Sequence, residues 1–208
     1  MQHAKRTKTA VALCLLLALV PYSTQGETII SKTTTYFSIG GSTAADLDRE
    51  MKKRGPMSSV TGRRHPGATK IKFDGAATFV SGKGNCRIGG AKVSLNTKLL
   101  LPRWTNRKKA NAKMALVWDT LSSDIKRHEE RHAEIARSYA RDLEKAILAL
   151  RPAKSCDVLK AKVSKLSNEL LASHDKAQQQ FDRIEAANFE SRMARLLKYR
   201  QQSRKVTN

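Results

Sequence analysis

The sequence predicts an α+β protein, with a small, mostly antiparallel N-terminal sheet and one helix, followed by a long antiparallel helical hairpin. Three observations predict it. Apolar and polar residues alternate through much of the first half, the apolar period lengthens to about 3.6 after Thr105, and Arg151-Pro152-Ala153-Lys154-Ser155 interrupts the helical stretch.

Residues 1–26 have the order of a secretory signal peptide. Basic Lys5, Arg6 and Lys8 precede an apolar run over 10–20, and a polar exit over 21–26 follows. The run is too short to span a bilayer comfortably and no other stretch is apolar for long enough, so the mature chain is expected to have no transmembrane anchor. The leader predicts a secreted or periplasmic protein. Cys14 falls inside it, which leaves Cys86 and Cys156. An even pair in an oxidising compartment is expected to form a disulfide. Removing the leader leaves 37 basic residues against 18 acidic ones, a net charge of +19. That balance favours anionic envelope polymers as surroundings. The export signal, and the few aromatics among the basic residues, disfavour specific nucleic-acid binding.

Residues 27–41 are rich in Ile, Thr, Tyr and Phe and end in Gly40-Gly41, which predicts a strand and a turn. Ser42-Thr43 opens a helix with Asp46 as capping partner, Leu47 and Met51 give it an apolar side, and Arg54-Gly55-Pro56 stops it. Residues 57–67 form a basic loop carrying His65, a histidine standing alone and read as a loop residue. Strands are expected over 70–80 and 91–101, joined by a turn at 81–85, with Pro102 ending the second. The domain then divides into a sheet part, 27–104, and a helical part, 105–190. A basic tail over 191–208 has six Lys or Arg and no acid.

After residue 106, Ala110, Met114, Val117, Leu121, Ile125, His128, His132, Ile135, Tyr139, Leu143, Ile147 and Leu150 recur at steps of three or four. One long helix, or two nearly collinear ones, carries this stripe. A second runs from about 157 to 200 with Leu159, Val163, Leu166, Leu170, His174, Ala177, Phe181 and Ile184 on its apolar side. The first contains His128-Glu129-Glu130-Arg131-His132, the H-E-x-x-H spacing that zinc hydrolases use. Imidazoles four apart lie one above the other on a helix and can reach one ion. Glu129, about 100° around the helix, is placed to act as general base. Both histidines fall on the apolar stripe, where two buried rings need a polar partner, and a metal is the economical one.

A tight hairpin makes positions equidistant from the turn neighbours. His132 lies 21 residues before Ala153 and His174 lies 21 after it. That arithmetic nominates His174 as third Zn2+ ligand beside His128 and His132, with Asp182 the alternative, and Gln178 and Glu185 in play if the register slips. Asp124 and Glu134 are candidates to orient the imidazoles. Tyr139 is read as a core aromatic before an oxyanion-stabilising group, and Trp118 as core.

The chain resembles a bacterial domain-of-unknown-function family described as predicted secreted zinc-dependent proteases. The resemblance is carried by Tyr36-Phe37-Ser38-Ile39-Gly40-Gly41-Ser42-Thr43, Leu47, Arg54-Gly55-Pro56, Cys86 and Leu101-Pro102-Arg103-Trp104. It continues through Trp118, His128-Glu129-Glu130-Arg131-His132, Cys156 and the run from His174 to Asp182. The family's last helix typically continues from a Tyr-Asp pair to a Thr, a His and a Gly. Here Phe181-Asp182 is followed by Glu185, Ala187 and Asn188, so that later His is missing. The resemblance implies peptide-bond hydrolysis.

Together these readings predict a secreted zinc metallopeptidase acting on peptide or protein substrates, with Glu129 as base. The competing expectation is a non-catalytic basic envelope protein that binds anionic cell-wall or lipid polymers.

Overall fold

A computed structural model describes residues 25–58 and 62–207, with no side-chain description beyond 204. The leader expected over 1–26 lies outside the described residues except for Gln25 and Gly26, which begin the first strand. The order of elements is β1 (Gln25–Ile39), α1 (Ala44–Arg54), β2 (Ala68–Gly82), β3 (Asn85–Trp104), α2 (Ala112–Leu148) and α3 (Cys156–Thr207), with a 3-10 turn at Arg107–Lys109 before α2. The class is α+β, as the change of period predicts.

The sheet has the order β1-β3-β2. β2 and β3 form the expected hairpin and are antiparallel, but β1 lies parallel to β3, pairing from Gln25 with Gly90 to Ile39 with Trp104. The sheet is therefore mixed and not mostly antiparallel. β1 ends and β2 begins at the same end of the sheet, and the hairpin then inserts β3 between them. Side-chain alternation reports which face is buried and says nothing about the direction of the neighbouring strand.

Pro102 does not end β3, which continues to Trp104 with Pro102 opposite Phe37. The β2 ladder has already stopped at Leu100, so beyond it β3 is paired on one side only, where a missing N–H is tolerated. α1 begins as the sequence predicts. The Thr43 hydroxyl accepts from Asp46 N and the Asp46 carboxylate accepts from Thr43 N, both at 3.1 Å. Gly41 sits at φ +92° where a Cβ would strike Asp46, so the tight turn into this cap requires glycine.

Two apolar clusters form the core. One joins Cys86, Ile88, Val93 and Leu95 of β3 to Ala136, Ala140, Leu143 and Ile147 of α2 and Leu159 of α3. The other joins Ile39, Leu47, Met51, Leu99, Leu101, Trp104, Trp118, Ile125 and Ala133. Trp118 is core, packed edge-on against Trp104 at 5.8 Å.

α2 is a single helix. Its most buried line runs through Ile125, Glu129, Ala133, Ala136 and Ala140, slightly around the helix from the predicted stripe. The reason is that α2 packs on two partners, the sheet with one face and α3 with the next. His128 and His132 lie on the α3 side and are half-buried, while Glu129 points inward.

Cys86 and Cys156 are disulfide-bonded with their Cα atoms 5.0 Å apart, and Cys86 and Ala153 exchange backbone hydrogen bonds of 2.8 and 2.9 Å. The interhelical linker is thus fixed to the start of β3. α3 passes through residue 190 without a break, so the segment expected as a tail is helical and continuous with the domain. Among the described residues, no helix is long and apolar enough to cross a membrane.

Candidate metal centre

α2 brings His128 and His132 one turn apart, and α3 supplies the group that faces them. His132 Nε2 lies 2.9 Å from Asp182 Oδ1, His128 Nε2 lies 3.3 Å from the same oxygen, and the two Nε2 atoms are 3.0 Å apart. Among the described residues these three form the group whose donor atoms could hold one metal ion. Donors about 2.1 Å from a tetrahedral zinc stand about 3.4 Å from one another, so this triangle is of the right size and chemistry. Two imidazole nitrogens and a carboxylate oxygen converge here, and such convergence is stabilised by a positively charged guest, a proton or a metal ion. Burial would raise the Asp182 carboxyl, but the two imidazoles outweigh it and hold the group well below the usual carboxylate range. Burial would lower His132, yet Asp182 and Gln178 raise it.

The side chain that joins His128 and His132 in this donor group is Asp182, the alternative in the sequence reading, while the His174 ring nitrogens face Asp175 and Gln178. Gln178, one turn beyond His174, is the residue that meets His132 across the seam. The equal-distance estimate assumes helix ends that stand level. The bridge between Ala153 and Cys86 instead places the linker against β3, and α3 starts beyond the level at which α2 stops.

Each of the two imidazoles is oriented from behind. The His132 Nδ1 edge faces Gln178 Oε1, leaving Nε2 for the cluster. His128 Nδ1 is 3.7 Å from Glu185 Oε2, and Phe181 stacks on the His128 ring at 4.9 Å. Glu185 is itself held by Arg127 and by Arg192, whose Nη2 is 3.2 Å away. Arg192 also reaches both oxygens of buried Asp124, at 3.0 and 3.2 Å. The carboxylates that orient the rings differ from those expected. Asp124 pairs with Arg127 and Arg192, and exposed Glu134 pairs with Arg131. Tyr139 donates to the Ser173 carbonyl at 3.2 Å and packs on His174, so its hydroxyl is engaged within the helix pair.

Glu129 is 5% exposed and faces the first residues of β2. The Thr69 hydroxyl lies 2.9 Å from both its Oε2 and its backbone oxygen. A Cβ on Gly67 would meet Glu129 Oε1 at 2.7 Å, so glycine leaves the room this carboxylate occupies. Burial raises the Glu129 carboxyl above its ordinary value, opposed by the Thr69 hydrogen bond and the nearby imidazoles. A base in such a setting holds a proton more readily than an exposed glutamate does.

These residues open on a cleft of about 960 Å3, bounded by the start of β2, the middle of α2 and the middle of α3. His65 lines it without joining the three-donor group. Among the described residues, five carboxylates line the cleft (Asp124, Glu129, Asp175, Asp182 and Glu185) against one arginine, Arg192, an acidic exception in a basic chain. Ile71, Phe73, Leu171, Met57 and Phe189 give it apolar walls.

Sequence reasoning passed over Thr69, Gly67, Gln178 as an orienting group, and the Arg127–Glu185–Arg192 set. One signal was present: Gln178, Asp182 and Glu185 follow His174 at steps of four, four and three, a polar stripe beside the apolar one on α3.

Fold and site together define an α+β protein with a His, His, carboxylate triangle and a buried glutamate in a cleft. The chain belongs to a family of bacterial proteins of unknown function (DUF922), which matches residues 34–189. No curated protein and no solved structure matches it.

Proposed function

We propose that this protein is a zinc-dependent hydrolase of peptide bonds acting outside the cytoplasm. The observation that carries the reading is the convergence of His128 Nε2, His132 Nε2 and Asp182 Oδ1 within 3.3 Å of one another, beside buried Glu129. Zinc at such a triangle supplies Lewis acidity and a water nucleophile at neutral pH. The residues themselves do the rest. His128, His132 and Asp182 would hold the ion. Glu129 takes the proton of the attacking water and delivers it to the leaving amine. Thr69 holds one Glu129 oxygen, which orients the other. The apolar walls accept side chains flanking the scissile bond and keep bulk water from it.

The test is Glu129→Gln. Zinc content is expected to stay stoichiometric, as in the wild type, while hydrolysis of an unstructured protein substrate falls by at least about 100-fold. Equal zinc and equal hydrolysis in the variant would remove Glu129 from the mechanism. A wild-type protein that takes up no zinc would sink the reading. The competing expectation, a basic envelope protein holding anionic polymers, draws on the net charge and on the basic residues over 191–208, and the five cleft carboxylates direct a polyanion away from this groove.

A further inference from the structure

His174 is 5% exposed, and both its ring nitrogens are engaged. Nδ1 is 3.0 Å from Asp175 Oδ1 and Nε2 is 2.8 Å from Gln178 Nε2. Edge contacts from Phe73 at 5.0 Å and Tyr139 at 5.5 Å fix the ring plane. The Gln178 amide is fully used as well. Its nitrogen donates to the His132 carbonyl oxygen at 3.1 Å and to His174 Nε2, and its oxygen faces His132 Nδ1.

Donor and acceptor roles in this chain are dictated by chemistry. The opposite orientation of the amide would set Oε1 against the carbonyl oxygen of His132, so the nitrogen must face it. Because that nitrogen only donates, His174 Nε2 must accept, and the His174 proton sits on Nδ1, where the Asp175 carboxylate receives it. Gln178 Oε1 then accepts from His132 Nδ1–H, which leaves the His132 Nε2 lone pair aimed at the three-donor group. In the other His174 tautomer two N–H groups would meet, and because the His132 carbonyl oxygen bars the turned amide, the Gln178 side chain would be pushed off His132 Nδ1.

We propose that His174 is a positioning residue: it fixes the Gln178 amide, and through that amide the orientation and tautomer of the metal-binding ring of His132. This rests on the metal reading above and gives a buried histidine outside the ligand set a defined task.

Full-length protein is compared as wild type, His174→Phe, His174→Gln, Gln178→Met, Asp182→Ala and the His174→Phe/Gln178→Met double variant. Zinc affinity is read by competition with a chromophoric chelator, and folding by thermal melts. Gln178→Met is expected to weaken zinc by about 10- to 100-fold. His174→Phe keeps the aromatic packing and loses the acceptor, and should weaken zinc by up to about tenfold. His174→Gln, which offers an acceptor to Gln178, should retain more affinity than His174→Phe. The double variant should match Gln178→Met within about twofold, because His174 acts only through that amide.

Unchanged affinity in His174→Phe overturns the proposal, as does a double variant whose losses multiply. Loss of zinc in His174→Phe as complete as in Asp182→Ala would make His174 a ligand and overturn it too. In each of these results wild-type zinc binding stands. A wild-type protein that binds no zinc defeats the metal reading itself, and this proposal with it.

Discussion

Thr69 is a small residue with a large share in the site, because its hydroxyl is the hydrogen-bond partner seen for the inward-facing Glu129 carboxylate. Thr69→Val keeps the β-branched shape and removes that bond, which is worth about 1–2 kcal/mol beside a charged group. Hydrolysis is expected to fall roughly 5- to 30-fold with zinc content unchanged, and Thr69→Ser should stay near wild type. Steady-state rates measured beside zinc analysis check this; a drop in zinc would instead make Thr69 part of the metal-holding structure. His128, Glu129 and His132 were legible in the sequence because one helix turn sets their geometry. Thr69 and Gly67 were not, since they lie about 60 residues away and meet Glu129 only when β2 packs on α2. Asp182 stood second to His174 for a related reason: ranking them needed the register of two helices, and a one-turn offset moves every level pair by four residues.

At the scale of elements, the cap of α1, the β2–β3 hairpin and the helical character of α2 follow from local chemistry, while the sequence left open whether α2 is one helix or two nearly collinear ones. The direction of β1 and the continuation of β3 past Pro102 do not follow from local chemistry, because both depend on which neighbour a strand finds. The element that sets the site's register is the linker between α2 and α3, bonded to β3 through Cys86, Ala153 and Cys156. A disulfide spanning 70 residues removes unfolded-state freedom worth on the order of 4 kcal/mol. Replacing both cysteines by serine should therefore lower unfolding free energy by an amount of that order in urea titrations. A loss under about 1 kcal/mol would mean that the backbone bridge between Cys86 and Ala153 holds the linker without the covalent bond.

For the whole molecule, the far half of α3 is joined to α2 mainly by charge. Arg192, 15% exposed at its side chain, ties Asp124 of α2 to Glu185 of α3, while Ile184 and Phe189 remain exposed nearby. Arg192→Met should cost about 1.5–3 kcal/mol, since buried Asp124 keeps only Arg127 as its cationic partner. Zinc affinity should fall with it, because Glu185 loses one of the two cations that hold it beside His128. Chemical denaturation and zinc competition on the one variant read both effects, and an unchanged denaturation midpoint would show that the Arg192 ties to Asp124 and Glu185 add nothing to stability. By itself the sequence determined the α+β class, the pairing of Cys86 with Cys156, and the two histidines and glutamate of one helix turn. Each of these follows from local period, local spacing or an even cysteine count. Only the tertiary structure decided that Asp182 closes the triangle, that His174 stands behind it, and that Thr69 and Gly67 shape the pocket of Glu129. Those relations depend on how distant elements slide past one another before packing fixes them, and no local pattern encodes that displacement.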